Sequence, residues 1–271
     1  MRAFVQHQYG GPEVLELAEI DMPKPGPDQV MVEVKAVSVN PMDWHLIRAT
    51  PSFVRFSTGL FKPKKKVPGA DFSGIVTEVG EKVQDFKVGD HVFGDSYRGT
   101  GSFAQYTSVS RDMLAKKPSN ISFEEAASIP VAGLTALQEI RNHAEVETGQ
   151  TVLINGSSGG VGHLSVQIAK AMGAEVTAVC SSKNREFVRE LGADHVIAYD
   201  EQDIHSHNQT YDRVLDNHGN LKLADFKRMI NKNGRGVVVG FTTMGNMIGV
   251  MMGKNFSKVD IRTFTAQANK A

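Results

Sequence analysis

The chain has 271 residues, with 30 Lys and Arg against 30 Asp and Glu and so no formal net charge. Apolar residues make up 41% and charged residues 22%, which excludes a disordered or collagen-like chain and argues against a nucleic-acid or acidic-membrane partner. The single cysteine, Cys180, excludes a disulfide framework and a multi-cysteine zinc site. With no signal-like apolar core at the start and no apolar run near the ~20 residues that span a bilayer, a soluble, cytoplasmic protein is expected.

From the N-terminus, residues 1–6, 14–20, 30–39, 74–80, 91–94 and 103–109 alternate or run β-branched between Pro and Gly punctuation. They predict a compact, barrel-like β domain over 1–120. Near Pro118 the texture changes. Residues 122–144 are Ala-rich and predict a helix, which Ser122 and Glu125 can open as a capping box. From Thr151 strands and helices alternate: strands at 151–155, 175–180, 195–199, 213–217 and 236–241, helices at 159–173, 183–192 and 223–234. This rhythm predicts a doubly wound parallel sheet over 121–271, and an α/β protein overall.

The strongest motif is Asn155-Gly156-Ser157-Ser158-Gly159-Gly160-Val161-Gly162, between a predicted strand and a predicted helix. Glycine permits the tight turn, the approach of backbone to a pyrophosphate and the packing of helix on strand. The helix start then offers N–H groups and a positive dipole end to the anion. The spacing is G-x-x-G-x-x-G, and no Lys-Ser/Thr follows as in an ATP-type loop. At the end of the next strand an NAD site usually carries an acid for the ribose 2′-hydroxyl. Here the chain reads Ser181-Ser182-Lys183-Asn184-Arg185, with no acid between Glu175 and Glu186. Hydroxyls and cations suit a 2′-phosphate, so NADPH is expected in preference to NADH.

Taken together, these motifs resemble the medium-chain dehydrogenase/reductase superfamily, in its zinc-independent quinone oxidoreductase-like branch. The resemblance is carried by Asn40-Pro41-Met42-Asp43-Trp44, Pro68-Gly69-Ala70-Asp71-Phe72-Ser73-Gly74, Val88-Gly89-Asp90-His91-Val92, Pro130-Val131-Ala132-Gly133-Leu134-Thr135-Ala136, the glycine loop and Leu191-Gly192-Ala193-Asp194. It implies a GroES-like β-barrel domain followed by a Rossmann domain, with the active site in the cleft between them. The catalytic-zinc positions of zinc-dependent relatives fall on Asn40, Ala70 and Val131, which cannot ligate zinc as Cys, His and Cys do; no zinc is expected. The family pattern also runs on past the last nucleotide-domain strand, so the resemblance implies that a chain ending at residue 271 is truncated at its C-terminus and lacks the segment that returns to the β domain.

The resemblance further implies cofactor contacts. Asn40, Asp43 and Trp44 belong beside the nicotinamide and its ribose, and Thr135 near the phosphates. Ser157, Ser158, Gly159, Gly160, Val161 and Gly162 hold the pyrophosphate. Ser181, Ser182, Lys183 and Arg185 surround the 2′-phosphate; the pattern's own Lys falls at Asn184. Tyr199 flanks the adenosine, Asn217 lies near it, and Gly240 and Phe241 pass the carboxamide. His45 stands where quinone reductases of the branch often have Tyr; it reads either as a proton donor or as a packed or solvated loop residue.

The implied activity is NADPH-dependent hydride transfer to a quinone or an activated alkene. Without a metal, hydrogen-bond donors must meet the developing oxyanion; the Asn40 amide, the cofactor ribose hydroxyl and His45 are the candidates. A non-catalytic NADP(H)-binding sensor or assembly protein on the same fold is the alternative. A zinc-free alcohol dehydrogenase is a third reading, for which no catalytic set is visible. By resemblance alone, residues 260–266 supply an edge strand through which two copies pair as a homodimer. Lys62, Lys64, Lys65 and Lys66 read as a solvated loop.

Overall fold

The computed structural model describes residues 1–206, 208–253 and 257–267; the chain end at residues 270 and 271 lies outside them. Two compact units divide the described chain, 1–131 and 132–267.

In the first unit β1 (Arg2–Val5) and β2 (Glu16–Glu19) form an antiparallel ribbon. Strands β3 (Gln29–Val37), β4 (Asp71–Val79), β5 (His91–Asp95), β6 (Tyr106–Ser110) and β7 (Leu114–Lys116) make an antiparallel sheet in the order β6-β3-β4-β5-β7. Its inward side chains, among them Val30, Val32, Phe72, Val76, Val92 and Val109, are buried in one core. Between β3 and β4 lie helices α1 (Pro41–Arg48) and α2 (Arg55–Thr58). Helix α3 (Phe123–Ala127) follows β7 and opens with the capping box anticipated from the sequence: the Ser122 amide donates to Glu125 at 2.7 Å and the Glu125 amide to Ser122 Oγ at 3.1 Å.

Helix α4 (Pro130–Leu137) runs into a π-helical segment, Gln138–Ala144, so the single helix expected over 122–144 is three pieces. The second unit then alternates β8 (Thr151–Asn155), α5 (Gly160–Ala171), β9 (Glu175–Cys180), α6 (Arg185–Glu190), β10 (His195–Ala198), β11 (Tyr211–Asp216), α7 (Leu223–Met229), β12 (Ile230–Val238), α8 (Met244–Gly253) and β13 (Asp260–Thr263). The six strands are all parallel, in the order β10-β9-β8-β11-β12-β13. Side chains alternate across the pleat: Val152 and Ile154 enter one core, and Leu153 enters another on the opposite face. Burial on both faces is what a parallel sheet requires.

One predicted boundary moves. The helix expected over 223–234 stops at Met229, and residues 230–238 form β12. Ile230 pairs with Tyr211, and Asn231 Nδ2 reaches Asp212 at 2.9 Å; strand pairing overrides the weak helical signal of Asn-Lys-Asn-Gly.

Candidate functional site

In the second unit the successive strands β8, β9 and β10 step one way and β11, β12 and β13 the other, so the strand order reverses at β8. That is the switch point where doubly wound sheets bind ligands, beyond the C-terminal strand ends. The glycine loop leaves β8 there. Gly156 turns at φ +77°. A Cβ on Gly162 would sit 2.1 Å from Gly156 O, so glycine alone lets α5 start against the loop. Around Gly160 a Cβ would meet nothing within 4 Å, and at Gly159 only Gly156 O at 3.3 Å. Both are exposed. An open cradle at a helix start, with first-turn N–H groups that have no intrahelical partner, fits a pyrophosphate.

The other expected contacts fall into three groups. Tyr199, 63% exposed, follows β10, and Gly240 and Phe241 follow β12; with Asn217 after β11 they line the same C-terminal edge. Thr135 is buried on α4. Ser157 is a different case. It is fully buried, and both its amide and its hydroxyl donate to Val179 O, at 3.0 and 2.9 Å. Its side chain ties the loop to β9 rather than facing a pyrophosphate. Ser158 Oγ receives Asn184 Nδ2 at 3.0 Å, which joins the loop to the segment after β9.

That segment also differs from its sequence reading. β9 and β10 pair in register with Ala198 against Cys180, which brings acidic residues from beyond β10 to the Ser-Ser-Lys run. Asp200 accepts from the Ser182 amide and hydroxyl, both at 2.7 Å, and Arg185 pairs with Glu201. Ser182 and Arg185, expected to be open to a phosphate, are already engaged. Ser181 is nearly buried, and Lys183 is exposed.

Behind the loop, two residues that sequence reasoning missed hold its neighbours. Asp216, fully buried, accepts from Asn155 Nδ2 at 2.7 Å and from the amides of Gly219 and Leu221 at 2.8 and 2.9 Å. Glu139, also fully buried, lies in the π-helical segment and accepts from Ser165 Oγ at 2.9 Å. With its amide nitrogen turned to the carboxyl, Asn217 donates to Glu139 at 3.1 and 3.2 Å. Desolvation pushes Glu139 up to about 8, against the pull of Ser165 and Asn217.

In the first unit the Asn40 amide hydrogen-bonds to Asp43 at 2.7 Å, which fixes the start of α1. Asp43 is therefore a buried anchor of the helix start, with its carboxyl pushed up by desolvation. Asp71, at 0% exposure, accepts from Asn40 Nδ2 at 3.0 Å, Ser38 Oγ at 3.2 Å and the Val131 amide at 3.0 Å. Asn40 Nδ2 also reaches Ser38 Oγ at 3.4 Å. Both amide protons thus turn inward, and the oxyanion-donor role expected of Asn40 passes from its nitrogen; the carbonyl oxygen is the atom left for a ligand. Burial pushes Asp71 up to about 7. Its motif was visible in the sequence, but its grip on Asn40 was not.

His45 stacks on Trp44 with ring centroids 3.8 Å apart, and its Nδ1 lies 2.6 Å from Thr50 O. Donation from Nδ1 leaves Nε2 as the outer nitrogen, a donor when the ring is charged. Trp44 is 43% exposed and carries the Arg48 guanidinium 5.8 Å above its ring. A cavity of about 260 Å³ beside α1 is lined by Gln6, Tyr9, Asp43, Leu46, Lys65 and Tyr97. Of the lysine run read as solvated, Lys65 turns inward and donates to Ser96 O and Tyr97 O at 2.8 and 3.0 Å. Desolvation brings it down to about 8 despite the nearby Asp95 and Asp43. Among the described residues no three His, Cys, Asp or Glu side chains gather as a metal site, and no helix is long and apolar enough to cross a membrane.

A β unit bearing this α1 start, followed by a doubly wound sheet with an open glycine cradle, defines a dinucleotide-dependent oxidoreductase fold. Residues 26–119 match the alcohol dehydrogenase GroES-like domain and residues 160–268 the zinc-binding dehydrogenase family. The chain belongs to the medium-chain dehydrogenase/reductase superfamily, in its quinone oxidoreductase-like branch, and the two units are its GroES-like and Rossmann-type parts. It is similar to a chloroplast envelope quinone oxidoreductase homolog of Arabidopsis thaliana, at 35% identity over 87% of this chain and 73% of the relative. An NADPH-dependent alkenal/one oxidoreductase of the same plant is 36% identical over 89% of this chain; the match spans 62% of that relative's length. The solved quinone oxidoreductase of Coxiella burnetii superposes with a TM-score of 0.86 at 33% identity, over 100% of this chain and 84% of that one.

Proposed function

We propose that the protein is an NADPH-dependent, zinc-independent reductase of quinones or of alkenes conjugated to a carbonyl. The observation that carries this reading is the open cradle at Gly159 and Gly160 at the sheet's switch point. Residues 159–162 would hold the pyrophosphate, Lys183 and Ser181 the 2′-phosphate side, Tyr199 and Asn217 the adenosine side, and Gly240 and Phe241 the carboxamide; in the first unit, Trp44 and the Asn40 carbonyl are the cofactor contacts that the family resemblance implies. On this reading residues 1–120 chiefly position the acceptor, and residues 121–271 hold most of the dinucleotide.

The nicotinamide, when bound, supplies the hydride. The chain's own residues orient and protonate. Asp71 fixes Asn40, Asp43 fixes the helix start beneath it, and Trp44 sets the plane on which His45 lies. Reduction leaves an oxyanion on the acceptor, and charged His45 stabilises and protonates it from Nε2. Metal polarisation is not called for, because Asn40, Ala70 and Val131 stand where zinc ligands would be. The named relatives support the acceptor class. A homodimer through β13, the outer strand of the sheet, and a cytoplasmic location complete the proposal; light scattering and cell fractionation test these two points.

Nicotinamide fluorescence titration with NADPH and NADH tests the cofactor, and a screen of quinones, enones and simple alcohols under NADPH tests the chemistry. Binding with turnover of quinones or enones is expected. Binding without turnover of any acceptor favours a non-catalytic nucleotide sensor, a reading to which the inward-turned Asn40 amide lends weight. Failure to bind either nucleotide overturns both.

A further inference from the structure

The run 181–185 carries two hydroxyls and two cations, residue types that by themselves suit a phosphate. The fold adds two carboxylates to it. Asp200 occupies both donors of Ser182, and Glu201 occupies Arg185. Of the two cations, Lys183 has no hydrogen bond or ion pair among the described residues, so the local charge balances two positive groups against two negative ones. A 2′-phosphate brings a charge of about −1.5 to −2. To reach Ser182 it must displace Asp200 or lie beside it. A bare ribose 2′-hydroxyl meets no such opposition, because it can donate to Asp200 as it does to the acid of an NAD site.

We propose that Asp200 and Glu201 are specificity-determining residues that hold down the preference for a 2′-phosphorylated dinucleotide at this edge. The proposal rests on the reading that a nicotinamide dinucleotide binds there. Asp200 sits beyond β10, not at the end of β9 where an NAD-selecting acid normally stands. The acids that oppose a 2′-phosphate here therefore lie outside 175–186, brought in by the pairing of β9 with β10.

Calorimetric titration of NADPH and NADH against the wild-type chain, Asp200→Asn, Asp200→Ser, Glu201→Gln and the double variant Asp200→Ser/Glu201→Gln tests this. Both side chains are at the surface, and the melting temperature of each nucleotide-free variant reports that it is folded. The double variant is expected to raise the affinity ratio of NADPH over NADH by about tenfold or more, chiefly by tightening NADPH. The Glu201→Gln share should shrink at high salt, as for an exposed charge. Lys183→Ala should lower the ratio, chiefly by weakening NADPH. A ratio unchanged within twofold in every Asp200 and Glu201 variant, with both nucleotides still binding, overturns the proposal. If the wild-type chain binds neither nucleotide, the dinucleotide reading fails and this inference falls with it.

Discussion

Glu139 shows how a single residue couples burial to the nucleotide edge. Its carboxyl is desolvated, is raised to about 8 and is held by Ser165 and Asn217, with the buried Asp216 as the other charge acting on it. The unfolded chain returns it to its ordinary range near 4.5. Between those values the folded state binds the extra proton, so the associated stability is complete below about 4.5 and is lost as pH climbs through about 8. Glu139→Gln keeps the shape without the charge. Thermal melts from pH 4.5 to 9 should show the variant closest to wild type at the acid end and progressively more stable up to about pH 8, by about 2–4 °C for each kcal/mol in domains of 150–250 residues. Parallel melting curves across that range would remove the charge from the account. Asp71, at about 7, acts in the same direction over a lower window, from about 3.8.

At the scale of elements, the glycine loop separates packing from binding. Gly162→Val drives a side chain into Gly156 O and Ser157 Cα, 2.1 and 2.7 Å from the new Cβ; a loss of about 3 kcal/mol or more in denaturant melts is expected. Gly160→Val meets open space, so the apo chain should melt within about 1 kcal/mol of wild type while NADPH affinity falls at least tenfold. Normal NADPH binding by the Gly160 variant would place the pyrophosphate elsewhere. The loop, the β–α alternation and the Ser122 cap were legible in the sequence because each is written in adjacent residues: glycines at turns, apolar periods, a Ser three positions before a Glu. The rest depends on contacts that only folding makes. Nothing local to Ser182 announces Asp200, nothing in 138–144 announces that Glu139 will meet Asn217, and the break between α7 and β12 appears only when Ile230 pairs with Tyr211.

Taken as a whole, the molecule carries the candidate cofactor residues of its second unit at strand ends, with buried cores behind them. Arg235 joins Glu145 and Asp260, and Arg262 joins the same two carboxylates, so the outer strand β13 is held by a network rather than by one surface pair, which alone would contribute little. Cys180, the only sulfhydryl in the chain, belongs to one of these cores, 1% exposed at the end of β9, with its thiol pushed up by burial. A thiol so placed reacts with a reagent such as DTNB only when the sheet edge opens. The wild-type protein therefore carries its own opening clock. Saturating NADPH, at a hundred times its Kd, should slow the release of thionitrobenzoate about a hundredfold. A rate indifferent to nucleotide would show that the edge opens without releasing it.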